Sequence, residues 1–305
     1  MLQKNNIPLK YIIGKIKYGL ILVSIYAMVV ALFYYSFHFT RITIPLSVPM
    51  ILGTVLSLLL GFRSNQAYDR WWEARIIWGA IVNDSRTLAR QILTFVNAEF
   101  EGEEMIQFKE RFIRRQMGWN YALKSHLRNQ SALKSVKGYV IEDEHSYLSR
   151  YTNVPTAILE LHGRDIRYAL NMGWINEYQQ VELDRTISRL CDSMGKCERI
   201  KNTVFPSTYS LYIHFALNLF ILMLPYALIE YFGMMVIPMV IAIAATFMLI
   251  EKMAIHLQDP FDNKPTDTPM TTLSKNIERD LRQMLNEYHI IDEVEQSRKE
   301  SFYVM

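Results

Sequence analysis

ITIPLSVPMILGTVLSLLLGFRSNQAYDRWWEARIIW, residues 42–78, decides the fold. It begins as an uncharged apolar run over Ile42 to Phe62, long enough for a bilayer that asks for roughly 17–25 such residues. It then carries Arg63, Tyr68, Asp69, Arg70, Trp71, Trp72, Glu73 and Arg75 with no glycine or proline between Gly61 and Trp78. One helix is therefore expected to start in the membrane and continue out of it. At about 1.5 Å per residue, Trp71 and Trp72 fall roughly 15 Å beyond Phe62 and Trp78 about 24 Å beyond it. An interfacial aromatic belt accounts for the first part of that distance only. Trp71, Arg75 and Trp78 share one face, and Tyr68 and Trp72 another, a spacing that permits cation–π contact. The plainer alternative is the packed wall of a domain outside the membrane.

The composition of the whole chain agrees with a part-membrane protein. Half of the 305 residues are hydrophobic and 21% are charged, with a formal charge of +3. That charge is too small to argue for nucleic acid, and no basic run interleaves with stacking aromatics. The two cysteines, Cys191 and Cys197, are six apart and point to different faces of a helix. They are read as buried thiols in a reducing compartment. No CxxC, HExxH or Cys/His cluster offers a metal site, so no metal and no cofactor is expected.

Four stretches pass the span test, at about 17–39, 42–62, 209–232 and 234–250. The lysines ahead of the first resemble a signal-peptide leader, but the apolar core is about twice the usual length and no cleavage pattern follows. It is read as a retained helix. Basic residues set the orientation. The lysine-rich start, the Arg/Lys-rich segment after Phe62 and the charged tail from Glu251 belong inside. The turn at Glu230 to Gly233 has no basic residue and belongs outside. The expected protein is all-α, with four spans in two hairpins and both termini in the cytoplasm. Its parts are an N-terminal segment and first hairpin (1–62), a helical cytosolic region (63–207), a second hairpin (208–250) and a tail (251–305).

Between the hairpins, apolar residues recur at helical spacing in 104–127, 154–172 and 175–202. Breaks are expected at 99–104, 129–137, 153–155 and Gly173. The chain re-enters the membrane at VFPSTYS (204–210), where Pro206 suits a first helical turn. Pro225 and Pro238 lie inside spans and are expected to kink or break them.

Two faces of the second span carry distinct patterns. Gly53, Ser57 and Gly61 are spaced by four, the small-xxx-small arrangement of closely packed helices. Thr54, Leu58 and Phe62 stand about 100° round. If the small face packs, copies of the second face around an axis would stack as a narrow, mostly apolar constriction that gates by dewetting. The alternative is that these side chains meet lipid or core.

LGTVLSLLLGFRSNQAYDRWWEARIIWG, followed by GKCERIKNTVFPSTYS (195–210) and LQDPFDNKP (257–265), resembles the bestrophin family, its bacterial branch above all. The matching elements include Gly53, Gly61-Phe62-Arg63, Asn65, Tyr68, Arg70, Glu73 with Arg75, and Trp78-Gly79. With the four spans, the resemblance covers nearly the whole chain. It implies a homopentameric ion channel in the bacterial inner membrane, passing small monovalent ions across the lipid bilayer. It also implies a neck at Thr54, Leu58 and Phe62, the face already separated by spacing. Thr54 departs from the apolar residue usual at its position. A second, cytosolic constriction maps to Tyr178.

The resemblance leaves the ion open, since animal and plant members are described as anion channels and bacterial relatives are associated with cations. Glu177, Glu182 and Asp184 stand near the expected exit, where fivefold copies would make acidic rings. With the bacterial resemblance they lean the reading to monovalent cations, with chloride as the alternative. These acids are otherwise helix surface. Animal members bind calcium through an acidic run after the last span. Here Asp259, Asp262 and Asp267 are spread out among Lys264 and Pro265, so calcium activation is not expected. A secondary transporter is the reading from another class, favoured by Pro225 and Pro238 but without an ionisable residue at mid-span. No acid/base or metal constellation supports an enzyme, and no catalytic residue is expected.

Overall fold

The computed structural model describes residues 14–36, 43–97, 102–203, 207–264 and 266–287. The lysines before residue 14, the link around Arg41, Glu99, Pro206 and Pro265 lie outside the described residues. The chain packs as two compact units. One takes the described residues up to Trp71 with Ser207–Asp259, the other Trp72–Thr203 with the segment from Pro260. Helix is the dominant structure, and among the described residues the only strand-like pairing is an isolated bridge between Lys137 and Val140.

The first unit contains α1 (Lys17–Ser36), the front of α2 (Ser47–Phe95), α8 (Ser207–Phe232) and α9 (Val236–Leu257). α1, α2 and the stretch Thr208–Leu257 are each long and apolar enough to cross a membrane. That last stretch is folded back on itself. A single 3-10 turn at Gly233–Met235, with Gly233 at φ +53°, joins α8 to α9. Phe220 and Phe247 meet across the hairpin with ring centroids 5.0 Å apart, and His214 meets Glu251 at 3.2 Å. α2 runs antiparallel to α8, since Ile44 N–H donates to the Tyr226 carbonyl at 3.4 Å while Arg63 reaches Ser210 at 3.0 Å. The core is one apolar cluster that includes Ala27, Leu56, Leu60, Leu217, Phe220 and Val240.

Prolines set the helix limits here. α2 begins at Ser47, not Ile42. Pro45 holds Ile44 extended, and Pro49 sits in the first turn, where no backbone donor is needed. Pro238 is likewise in the first turn of α9 and breaks nothing. Pro225 is inside α8, which runs through it. It removes the donor owed to Ile221, and the Tyr26 hydroxyl donates to the next carbonyl, Leu222, at 2.7 Å.

The second unit is built on the rest of α2, with α3 (Glu103–Leu127), α4 (Ala132–Val136), α5 (Glu142–Leu148), α6 (Val154–Asn171), α7 (Glu177–Asn202) and α10 (Met270–Met284). α3, α6 and α7 match the helical spacing of the sequence to within a few residues. Gly173 ends α6 at φ +72°, a conformation that costs glycine little. Asn153 and Asn176 cap α6 and α7. Asn176 accepts from Gln179 N–H while the Gln179 side chain accepts from Asn176 N–H, both at 2.9 Å, a reciprocal arrangement that fixes the first turn. Periodicity does not reveal α4 or α5, which are too short to show a face. α10 is docked by buried Met270, Ile277 and Leu281 and by Arg86 on Asp280 at 2.5 Å.

The core includes Trp78, Phe112, Trp119, Leu190 and Phe261. Trp78, read from sequence as a candidate cation–π partner, is wholly buried. Cys197 is buried as expected, and burial pushes its thiol up to about 12. Cys191 is exposed, contrary to expectation, because it falls on the outer face of α7.

Candidate functional site

α2 is a single helix of 49 residues. At 1.5 Å per residue it is about 74 Å long, more than twice the roughly 30 Å of a bilayer core. Its inward stripe is Leu56, Leu60, Arg63, Ala67, Ala74, Trp78, Ile81, Ser85 and Leu88, each under 2% exposed. The steps of three, four or seven keep these on one face.

The opposite face is left open by the chain's own fold. Thr54, Leu58 and Phe62 lie on it. Leu58 is 62% and Phe62 56% exposed. The stripe goes on through Asn65, Asp69, Trp72, Ile76 and Asn83. Counted at 100° per residue, these positions stay within a narrow sector of the helix. An isolated leucine on a surface means little, but this row sets exposed apolar side chains, Leu58, Phe62, Trp72 and Ile76, along one sector of α2, with Asn65, Asp69 and Asn83 among the later ones. The Thr54 hydroxyl donates back to the Met50 carbonyl at 2.9 Å.

The three small residues separate. Gly53 is at a close approach, since a β-carbon there would lie 2.9 Å from the Phe220 ring. Ser57 and Gly61 are exposed, and nothing lies within 4 Å of a β-carbon at Gly61. The small-residue face is thus a contact inside this chain at Gly53 only. The apolar stripe through Leu56 and Leu60 does the rest of the packing.

Arg63 closes the apolar part of α2. It is buried with Glu251, their nearest atoms 4.0 Å apart, and donates to Ser210 at 3.0 Å. With the Gln258 amide turned so that its oxygen faces the guanidinium, two further bonds form at 3.2 and 3.3 Å. Breaking such a pair on one side costs about 3–5 kcal/mol, because a buried charge is left alone. Arg70 donates to the Gln258 carbonyl at 3.0 Å.

In the second unit the other sequence motifs come together, which their separation along the chain conceals. Arg199 pairs with Glu73 at 2.5 Å. Glu198 accepts from Asn153 at 2.9 Å and meets His126 at 3.2 Å. Lys201 pairs with Asp262 at 3.0 Å, and Lys264 with the same carboxylate at 2.8 Å. Asp267 accepts from Lys264 N–H at 3.0 Å and closes the turn that inserts Phe261 into the core. Asp262 and Asp267 are therefore committed to internal partners. No group of three or more metal-type side chains is assembled among the described residues.

Tyr178 and Glu177 occupy the first turn of α7. Tyr178 is 86% exposed and Glu177 is exposed. Glu182 is not a bare acid, since it accepts from Arg185 at 2.7 Å. Arg189 pairs with Asp84 at 2.8 Å. Of the acids expected to form a negative ring, Glu182 is thus paired with a guanidinium group on its own helix.

Comparison with known proteins gives a consistent answer. Residues 7–283 match the family model described as bacterial/fungal bestrophin protein. A voltage-dependent anion channel-forming protein of Nostoc sp. is 30% identical over 88% of this chain and 87% of its own. One from Ralstonia nicotianae is 30% identical over 84% and 83%. A crystal structure of a bacterial bestrophin homologue from Klebsiella pneumoniae superposes with a TM-score of 0.83 at 25% identity, over 90% of this chain and 99% of that one.

Proposed function

Since the chain belongs to the bacterial and fungal bestrophin family of membrane ion channels, we propose that it conducts small monovalent anions passively through a ring of five copies. The observation that carries the proposal is the open row on α2, mostly apolar at Thr54, Leu58 and Phe62 and mixed beyond, where Asn65, Asp69 and Asn83 alternate with Trp72 and Ile76. Five such helices facing an axis would stack three rings in the membrane. Dewetting of the apolar rings would limit conduction without selecting by charge. The rest of α2 would line a wider, wetter passage, with Tyr178 at its exit.

Anions replace the cation preference expected from Glu177, Glu182 and Asp184 on two grounds. Arg185 stands among those acids and already pairs with Glu182. The relatives named above are anion channel-forming proteins by name. The bilayer is proposed to be the inner membrane, with both termini cytoplasmic, from the distribution of Lys and Arg. No calcium ion or other cofactor is invoked.

Purified protein in planar bilayers under a KCl gradient tests the reading. Unitary currents reversing toward the chloride equilibrium potential are expected, and calcium chelation should leave them unchanged. Reversal toward potassium would restore the cation reading. Silence together with saturable solute uptake in liposomes would replace the channel by a transporter. Mass measurement of the intact assembly checks the five copies.

A further inference from the structure

An apolar neck limits ions without regard to their sign, so a preference for anions needs a charge farther along the passage. The far part of α2 holds one. Glu73 pairs with Arg199 at 2.5 Å, Asp84 with Arg189 at 2.8 Å and Arg86 with Asp280 at 2.5 Å, so these three charges are engaged within the second unit. Arg90 is exposed and forms no ion pair among the described residues.

Its place on the helix puts it on the open row. Arg90 follows Trp72 by 18 residues, about five turns at 3.6 residues per turn, and Asn83 by seven, about two turns. Trp72, Asn83 and, one turn beyond Arg90, Thr94 are all exposed. The Thr94 hydroxyl donates to the Arg90 carbonyl at 2.8 Å. Neighbouring positions fix the rotation of the helix here. Leu88 and Ile92 are wholly buried, and Gln91, 5% exposed, accepts from Thr186 at 2.9 Å. The guanidinium is thereby turned away from the core.

α7 sets the level of Arg90 along the passage. Asp84 meets Arg189, Gln91 meets Thr186, and Asn97 N–H donates to the Trp174 carbonyl at 3.0 Å. α7 therefore runs antiparallel to this part of α2, and its first turn, with Glu177 and Tyr178, lies toward the end of α2. Arg90 is in the last two turns of α2, at that same end. Two acids oppose it. Asp69 is also exposed on the row, but 21 residues back, about 32 Å along the helix. That is several times the roughly 8 Å over which exposed charges act in physiological salt. Glu177 is exposed near the exit. Charge on the row nearer the narrow exit weighs more on a passing ion, because low-dielectric walls that close in focus its field.

We propose that Arg90 faces the passage and that its five copies form a cationic ring raising the permeability to anions relative to cations. The proposal rests on the channel reading above and names the charge behind its ion preference. Full-length protein in planar bilayers under a KCl gradient tests it. Arg90→Gln should lower the chloride-over-potassium permeability ratio about fivefold, which corresponds to roughly 1 kcal/mol, the attraction of unit charges about 4 Å apart in water. Arg90→Lys should keep the ratio, because the charge stays. Lys134→Gln, at an exposed lysine elsewhere in the second unit, should leave it unchanged. In a Cys191→Ser background, Arg90→Cys should regain the ratio after reaction with a cationic methanethiosulfonate and lose more of it with an anionic one. That dependence on sign arises from a charge in the ion path, not from damage to the fold.

An unchanged ratio in Arg90→Gln, an equal fall in Arg90→Lys or Lys134→Gln, or the same response to both reagents would overturn the proposal. A chloride preference that survives Arg90→Gln would defeat this proposal alone. A potassium preference in wild type that Arg90→Gln deepens would defeat the anion reading alone, with Arg90 kept in the path. Silence of the wild type would overturn both.

Discussion

Leu58 and Leu60 are two residues apart on α2, yet they should respond to truncation in opposite ways. Leu60 is 1% exposed and packed in the cluster with Leu56 and Phe220. Leu60→Ala removes three buried carbons and leaves a cavity, at a cost of about 2–5 kcal/mol. Leu58 is 62% exposed and belongs to no such cluster, so Leu58→Ala should change the stability of the chain by no more than about 0.5 kcal/mol. If Leu58 is the middle ring of a neck, the same change widens and wets that ring in every copy. Leu58→Ala should therefore raise unitary conductance or open fraction at unchanged thermal stability. Leu60→Ala should lower stability and leave the unitary conductance of the surviving channels near wild type. Phe62→Ala should follow Leu58→Ala. Thermal unfolding and single-channel recording in planar bilayers, on the same preparations, read both quantities. Unchanged currents in both Leu58→Ala and Phe62→Ala would show that this face meets lipid. A conductance change confined to Leu60→Ala would mean that the helix is turned the other way round in the assembly.

Other expectations follow from individual contacts. Gly53→Ala forces a methyl group against Phe220 at 2.9 Å and should cost about 1–3 kcal/mol, partly relieved by Phe220→Leu. Gly61→Ala meets nothing within the chain, so a loss of stability larger than that of Gly53→Ala would expose a contact with a neighbouring copy. N-ethylmaleimide at neutral pH should label Cys191 and spare Cys197 until the protein is unfolded; equal labelling in the native state would contradict the burial of Cys197. His162 is fully buried, its ring tilted by 35° against Phe112 with centroids 4.1 Å apart, and neither ring nitrogen is hydrogen-bonded. Burial, then the nearby Arg115 charge, holds its pKa well below 6.5. With the folded pKa depressed, the unfolded chain binds the proton first. Stability from this group is complete above about pH 6.5 and is lost as pH falls toward the folded pKa. His162→Phe should flatten the decline of the thermal midpoint on acidification, and an identical decline in the variant would remove His162 as its source.

Residues 42–78 determined a great deal without any tertiary information. Absence of a breaker after Gly61 made one long helix, because backbone hydrogen bonding continues wherever no residue interrupts it. Apolar length marked the spans, and the spacing of Thr54, Leu58 and Phe62 put them on one face. These are local properties, fixed by helical geometry and by transfer from water. The motifs pointed to the family for a different reason, the order of several short elements along nearly the whole chain, and the family match over residues 7–283 agrees. What needed the tertiary structure were the choices among equally patterned faces and the partners of charges. Sequence gave Gly53, Ser57 and Gly61 equal standing, and only the position of Phe220 shows that Gly53 alone is pressed. Glu182 and Arg185, by contrast, are three apart on α7, so their pairing is local and follows from helical spacing alone. Glu73, Arg199, Lys201 and Asp262 are scattered along the chain and become two ion pairs once α2, α7 and the segment from Pro260 pack together. A charge's effect depends on what lies within a few ångströms of it, and that distance is settled by packing, not by order along the chain.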